Sequence, residues 1–322
     1  TRQYAARTLR PRIHKVLAQF EGELGSDRSR VTAEWPTGLE LADGIELWHD
    51  PTRLLDDAWV TRTLAAARAH GIADVAGVLD FPRGLAAARA RLHQFVEHGL
   101  STYADDRNQP HLDGTSGLST FVHYGQIAPH EIVHAVRHSG GRREGIDTFI
   151  EEFVVRRELA WNYALHTPDC REWDALPDWA RRTLEDHAGD ERPVIHSEAD
   201  MVACATRDPL WNAAQAQMRD CGIMHGYLRM YWAKQILTWT RTPQEAFDIA
   251  LRLHDRFSLD ARDPNSITGV SWAIGGVHDR GWPEREIFGK VRSMTFASTG
   301  RKFDKAAYIG RWSEGPVQLT LG

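Results

Sequence analysis

The chain has 322 residues, a formal net charge of −5, 42% hydrophobic and 26% charged residues, the make-up of one large globular domain or two small ones. No run of about 18 apolar residues offers a membrane span, and the opening Thr1-Arg2-Gln3-Tyr4 lacks the apolar stretch of a secretory signal. Cys170, Cys204 and Cys221 form no Cys-x-x-Cys and no paired framework, which favours a reducing, cytoplasmic setting.

The elements are predicted in chain order. Residues 1–24 read as a helix, with Leu9, Ile13, Val16, Leu17 and Phe20 on one face. Residues 25–56 carry Gly, Pro and acids and read as an irregular connector. Residues 57–70 and 84–104 are Ala/Arg/Leu-rich helices, and 105–118 a loop. Helices are expected at about 118–138, 143–166, 178–188, 198–205, 209–221, 224–240 and 242–255. Residues 258–282, rich in Gly, Pro, Asp and Asn, are expected to be an ordered functional loop with little regular structure. Period-2 strand patterns are scarce, so the fold class is mostly α.

Four constellations could carry chemistry. Trp232 and Trp239 lie seven residues apart on one helix, nearly on one face and about 10.5 Å apart along its axis, with Trp211 upstream. Stacked indoles can pass single electrons, while the same spacing also suits core filling. His130-Glu131-Ile132-Val133-His134 matches the H-E-x-x-H zinc pattern, but no third ligand follows at the usual spacing. Gly114-Thr115-Ser116-Gly117-Leu118-Ser119-Thr120 opens a helix with hydroxyls and free N–H groups, either a phosphate cradle or plain capping. Residues 258–282 group Asp, Asn and Arg around Trp272, which suits recognition of a polar aromatic ring.

Charge adds a further signal. Between Phe288 and Trp312, six cations (Lys290, Arg292, Arg301, Lys302, Lys305, Arg311) stand against Asp304 alone, a local +5 in an acidic chain. Such a stretch either tracks a phosphate backbone or is a solvated face.

Taken together, Tyr4 to Pro11, Arg156-Arg157-Glu158-Leu159-Ala160, Asp208-Pro209-Leu210-Trp211-Asn212, Met224 to Trp239, Leu253 to Asn265, Trp272 to Trp282 and Phe288 to Phe303 resemble the flavin-binding half of class II cyclobutane pyrimidine dimer photolyases. The resemblance spans nearly the whole chain, with its motifs in the right order. It implies a helical FAD-binding domain of the photolyase/cryptochrome type over 86–322. Residues 1–85 would be the connector and helices that follow an amino-terminal antenna domain, which is missing from this chain. The sequence has no initiator Met and is read as a fragment or a processed product.

The resemblance also implies roles. Thr115, Ser116, Gly117, Leu118 and Ser119 would touch the FAD diphosphate, with Tyr103 nearby. Arg229 and Asp260 would pair beside the isoalloxazine, and Asp263 and Asn265 would line the same pocket. Trp211, Trp232 and Trp239 would relay electrons. Glu152, Met230 and Trp272 would face a flipped pyrimidine dimer, and Arg107, Lys290 and Arg292 would bind phosphates of UV-damaged DNA. The expected activity is light-driven dimer repair by a monomer; the alternative is a flavoprotein of the same fold used as a light sensor or for another flavin reaction.

Several residues depart from the family pattern. His254 replaces an Asn that faces flavin N5; it is bulkier and able to carry charge near neutral pH. Ala261 replaces a Gly, removing a permissive position. Ser266-Ile267 replaces Gly-Tyr, and Trp161 replaces an Asp.

Overall fold

Three of the long helices around the candidate site share one start signal. Asp208-Pro209, Thr242-Pro243 and Asp263-Pro264 each place a capping side chain before a proline whose missing N–H costs nothing at the first helical position. Asp208 Oδ1 accepts the N–H groups of Leu210 and Trp211 at 2.9 and 3.0 Å, Thr242 Oγ1 that of Glu245 at 3.1 Å, and Asp263 Oδ1 that of Asn265 at 2.8 Å.

The computed structural model describes residues 1–20, 57–69 and 81–313. Its helices are α1 (Ala6–Leu17), α2 (Asp57–Ala69), α3 (Leu85–Gln94), α4 (Tyr103–Asp106), α5 (Ser119–His123), α6 (Pro129–Arg137), α7 (Arg143–Ile150), α8 (Arg157–His166), α9 (Asp178–Asp186), α10 (Glu198–Val202), α11 (Pro209–Cys221), α12 (Gly226–Trp239), α13 (Pro243–Phe257), α14 (Pro264–Gly275), α15 (Phe296–Thr299) and α16 (Lys305–Ser313). Among the described residues the only β pairing is an isolated bridge between Arg285 and Gly289. No described helix is long and apolar enough to cross a membrane. The chain divides into a unit of Thr1–Gly22 with Val78–Gly322 and a unit of Glu23–Gly77; only α2 of the latter is described. The connector expected at 25–56 lies outside the described residues.

Several expected boundaries shift. The helix expected at 118–138 is α5 and α6, separated by a turn at Gly125, which adopts a left-handed φ of 65°. The stretches 84–104 and 143–166 are interrupted by π-helical turns at Phe95–Gly99 and Glu151–Arg156, a deviation frequent at functional sites. Residues 258–282, expected to be irregular, contain α14. Its Ser, Thr and Gly content disfavours a helix locally, but Val270, Ala273 and Ile274 are buried and α14 packs on α8, α12 and α13. Tertiary burial overrides propensity there. Lys234, itself buried, donates to the Ala273 carbonyl at 2.5 Å and ties α12 to α14.

Two of the apolar regions in the larger unit's interior lie close to the elements that carry the site residues. One joins α3, α5, α6 and α7 through Leu92, Phe95, Phe121, Ile132 and Phe149. The other holds Trp211, Trp232, Trp239, Tyr231 and Phe247, all fully buried. Close approach is enforced at Gly145 on α7, where an added Cβ would overlap the Leu100 carbonyl oxygen. Because the obstacle is backbone, it cannot rotate away. Gly145→Ala is therefore expected to lower stability by about 1–3 kcal/mol, read as a reduced denaturant midpoint; an unchanged midpoint would refute this packing.

Candidate functional site

The site is built on α12 and the turn after α13. Arg229 grips Asp260 with two contacts, Nη1 to Oδ1 at 2.9 Å and Nη2 to Oδ2 at 3.0 Å. Arg229 Nε donates to the Met224 carbonyl at 3.0 Å, and the Ser258 hydroxyl donates to Asp260 Oδ1 at 2.7 Å. Burial pushes the Asp260 carboxyl up, but the Arg229 charge and these hydrogen bonds outweigh it and hold it well below the usual carboxylate range.

His254 stands behind this pair. Arg229 Nη1 lies 3.2 Å from its Nε2. A guanidinium only donates, so Nε2 accepts and the proton sits on Nδ1, which is buried without a partner. Burial and the Arg229 charge push the His254 pKa down to about 3. The charge foreseen for His254 near neutral pH is thus corrected: the ring is a neutral donor with one N–H to offer.

A half-open cavity of about 240 Å³ lies beside the ion pair. Eight of the expected residues line it: Tyr103, Ser116, Ser119, Glu152, Arg229, Asp260, Asp263 and Asn265. Burial pushes the Tyr103 hydroxyl up to about 12. At the rim Arg107 Nη1 pairs with Glu152 Oε1 at 3.2 Å. Thr115, Gly117 and Leu118 do not line the cavity, although they belong to the loop that carries Ser116. Met230 and Trp272 are half-buried and outside the lining, and Lys290 and Arg292 are exposed on the segment after α14.

Sequence reasoning missed what shapes the wall. Arg91 on α3 donates from Nε to the Ser116 carbonyl at 2.8 Å and from Nη2 to the Thr115 carbonyl at 2.9 Å. Gly117, at φ 66°, lies so close that a Cβ would stand 2.7 Å from Arg91 Nε. No local signal links Arg91 to a loop some 25 residues on. His123, Phe149, Phe153, Arg157 and Ser266 also line the cavity; of these Ser266 stood out as a departure from the family pattern, and Arg157 only as part of a matching motif.

The indoles form one touching set. The Trp211 ring stacks on Trp232 at 5.9 Å and 7°, and meets Trp239 edge-on at 5.3 Å and 75°. Trp211 Nε1 donates to the Trp232 carbonyl and Trp232 Nε1 to Gln215 Oε1, both at 2.9 Å, while Trp239 Nε1 has no protein partner.

The other departures sort by position. Ala261 does not need a glycine, since the left-handed φ falls on the next residue, Arg262, at 60°. Ile267 is buried, and Trp161 is exposed with the Arg157 guanidinium over its ring at 5.7 Å. The zinc-like pattern on α6 is otherwise engaged: Glu131 pairs with Arg89 at 2.6 Å and His134 stacks on His138 at 4.1 Å. No group of His, Cys, Asp and Glu suited to a metal occurs among the described residues. Nor is the basic stretch a uniform stripe. Arg311 pairs with Asp113 at 3.3 Å, Lys302 lies over Tyr227 and Lys305 over Phe296.

The neutral His254 has a consequence for acid stability. Its folded pKa lies below the ordinary 6.5, so the unfolded chain binds a proton that the folded chain refuses. Its contribution is intact above about pH 6.5 and is lost as pH falls toward about 3. His254→Asn should remove about 1.4 kcal/mol per pH unit from the slope of stability between about pH 6 and pH 4, measured by denaturant unfolding; equal slopes would show that the ring is not held neutral.

No family model matches the chain. It is 45% identical over 226 residues to the deoxyribodipyrimidine photo-lyase of Potorous tridactylus, covering 70% of this chain and 42% of that protein. It is 37% identical over 316 residues to the deoxyribodipyrimidine photo-lyase of Oryza sativa subsp. japonica, covering 95% and 58%. The chain spans about half the length of the curated relatives it matches. The fold is similar to that of a bacterial class III photolyase from Agrobacterium tumefaciens, with a TM-score of 0.57 and 20% identity over 71% of this chain and 44% of the other. The helical fold, the ordered motifs and these identities together place the chain in the photolyase/cryptochrome family, beside its class II members.

Proposed function

We propose that this chain carries the light-driven repair of cyclobutane pyrimidine dimers in DNA, with FAD held in the cavity beside Arg229 and Asp260. The observation that carries the reading is the convergence on one cavity of a fixed ion pair, two serine hydroxyls, Asn265 and a carboxylate at the rim. The donor set fits a flavin nucleotide. Ser116 and Ser119 suit phosphate and Asn265 a ring acceptor, while the His254 Nδ1–H, without a protein partner, lies behind the ion pair and outside the lining. At about 240 Å³ the cavity has room for a fused ring but not for a whole dinucleotide, whose remainder would need the solvent-open side.

When bound, the flavin supplies light absorption and the electron that splits the dimer. The protein's own residues do the rest. Arg229, fixed by Asp260, presents positive charge to the ring, and neutral His254 behind it adds none. Glu152, once Arg107 yields it, accepts from a base N–H as the carboxylate or donates to a base carbonyl as the protonated acid, and Met230 and Trp272 supply apolar contact to the extruded lesion. A dimer is already weakly stacked, so extruding it is less costly than extruding normal bases. Lys290 and Arg292 meet the phosphate backbone. Electrons for flavin reduction pass through the indoles, with Trp211, which touches both others, as the middle member.

Use of the same cavity for light sensing is the second reading, favoured by His254 and by Ser266 in the lining. Loss of thymine dimers from DNA under blue light, against a dark control with flavin bound, decides between them: repair is expected, and a yellow, flavin-loaded protein that leaves dimers intact would overturn it. A chain that takes up no FAD would defeat both readings. Trp211→Phe is expected to stop light-driven flavin reduction while repair persists after chemical reduction with dithionite; normal photoreduction in that variant would remove Trp211 from the path.

A further inference from the structure

His187, at the end of α9, holds two carboxylates at once. Its Nδ1 lies 2.6 Å from Asp190 Oδ2 and its Nε2 3.2 Å from Glu284 Oε1. Asp190 Oδ2 also accepts the Ile287 N–H at 2.7 Å, and one turn back on α9 Thr183 Oγ1 accepts the Lys290 N–H at 3.0 Å. Between these anchors sits Gly289, at φ 50°, where a Cβ would overlap Thr183 and come within 3.0 Å of the His187 ring. The segment folds on itself as well: Arg285 and Gly289 exchange backbone hydrogen bonds at 2.9 and 2.8 Å, and the Trp282 N–H reaches the Lys290 carbonyl at 2.8 Å. Having no helix of its own, the stretch that carries Lys290 and Arg292 is attached to α9 through Thr183, His187 and Asp190.

An imidazole donates to two carboxylates only when both ring nitrogens carry protons. On losing one it keeps the other for Asp190, the nearer partner, which the Ile287 N–H also orients. Nε2 then turns a lone pair toward the Glu284 carboxylate, and that contact becomes repulsive. The charged groups facing the ring among the described residues are Asp190 and Glu284. Arg192 approaches only through the His187 carbonyl, at 3.4 Å from Nη1, and stands nearer Asp190.

We propose that His187 is a positioning residue for DNA binding: its doubly protonated ring clasps the 284–290 segment to α9 and so holds Lys290 and Arg292 against the phosphates. This rests on the reading of those two cations as DNA contacts. The hydrogen bonds to Asp190 and Glu284 raise the His187 pKa above its ordinary 6.5. The clasp is therefore complete below about pH 6.5 and is lost as pH rises through the elevated value.

The test is dark binding of the flavin-loaded chain to a duplex with one thymine dimer, at fixed salt, from about pH 6 to about pH 9. Wild-type affinity is expected to fall about fivefold across that range, the ceiling for one surface ion pair. Glu284→Gln, an exposed change whose amide either accepts from Nε2–H or donates to the bare nitrogen, should flatten the profile. His187→Gln should bind at the wild-type high-pH level throughout. A flat wild-type profile, or parallel declines in wild type and Glu284→Gln, would overturn the clasp. The paired substitution Lys290→Ala and Arg292→Ala separates the two readings. Weaker binding at every pH in that variant, together with a flat wild-type profile, defeats the clasp alone; undiminished binding defeats the DNA-facing role on which the clasp rests.

Discussion

The bidentate contact between Arg229 and Asp260 fixes α12 against the turn that follows α13. A buried ion pair adds little net stability over an apolar substitute, yet removing one partner costs about 3–5 kcal/mol because the other is stranded. Its contribution is positional. It sets the height and rotation of α12, and with them the depth of Trp232, three residues on. Burial is the main reason that His254 stays neutral, and the guanidinium at 3.2 Å from Nε2 adds to it.

The start of α11 is tied into the same arrangement. Asp208 caps α11 with one carboxylate oxygen and accepts the Tyr231 hydroxyl of α12 with the other. The cap that begins the helix thus also sets where α11 lies against α12. Trp211, two residues inside α11, is thereby brought onto Trp232 and Trp239. The indole N–H groups of Trp211 and Trp232 are hydrogen-bonded, so these large rings are buried without the cost of an unsatisfied donor.

Around the cavity, polar groups are spent on one another before any ligand arrives. Arg91 takes up the carbonyls of the Thr115–Ser116 turn, and Arg107 holds Glu152. The cations after Phe288 divide likewise. Arg311, Lys302, Lys305 and Arg292 lie against Asp113, Tyr227, Phe296 and Trp282, while Lys290, Arg292, Arg301 and Lys302 remain exposed. The local +5 of the sequence is therefore partly taken up by neighbouring side chains.

By itself the sequence determined the helical class, the starts of α11 and α13, and the family, because caps, proline positions and ordered motifs act locally and are read locally. It also supplied eight of the residues that line the cavity, through the family resemblance rather than through spacing. Tertiary structure alone decided the rest. α14 forms because its weak helix formers are buried against three neighbours. Trp211 is the central indole because of how α11 crosses α12, whereas spacing could only relate Trp232 to Trp239. Arg91 reaches its turn, and His187 reaches Glu284 some hundred residues away, only once the chain is folded. Burial beside Arg229, a property of the packed interior, keeps His254 uncharged.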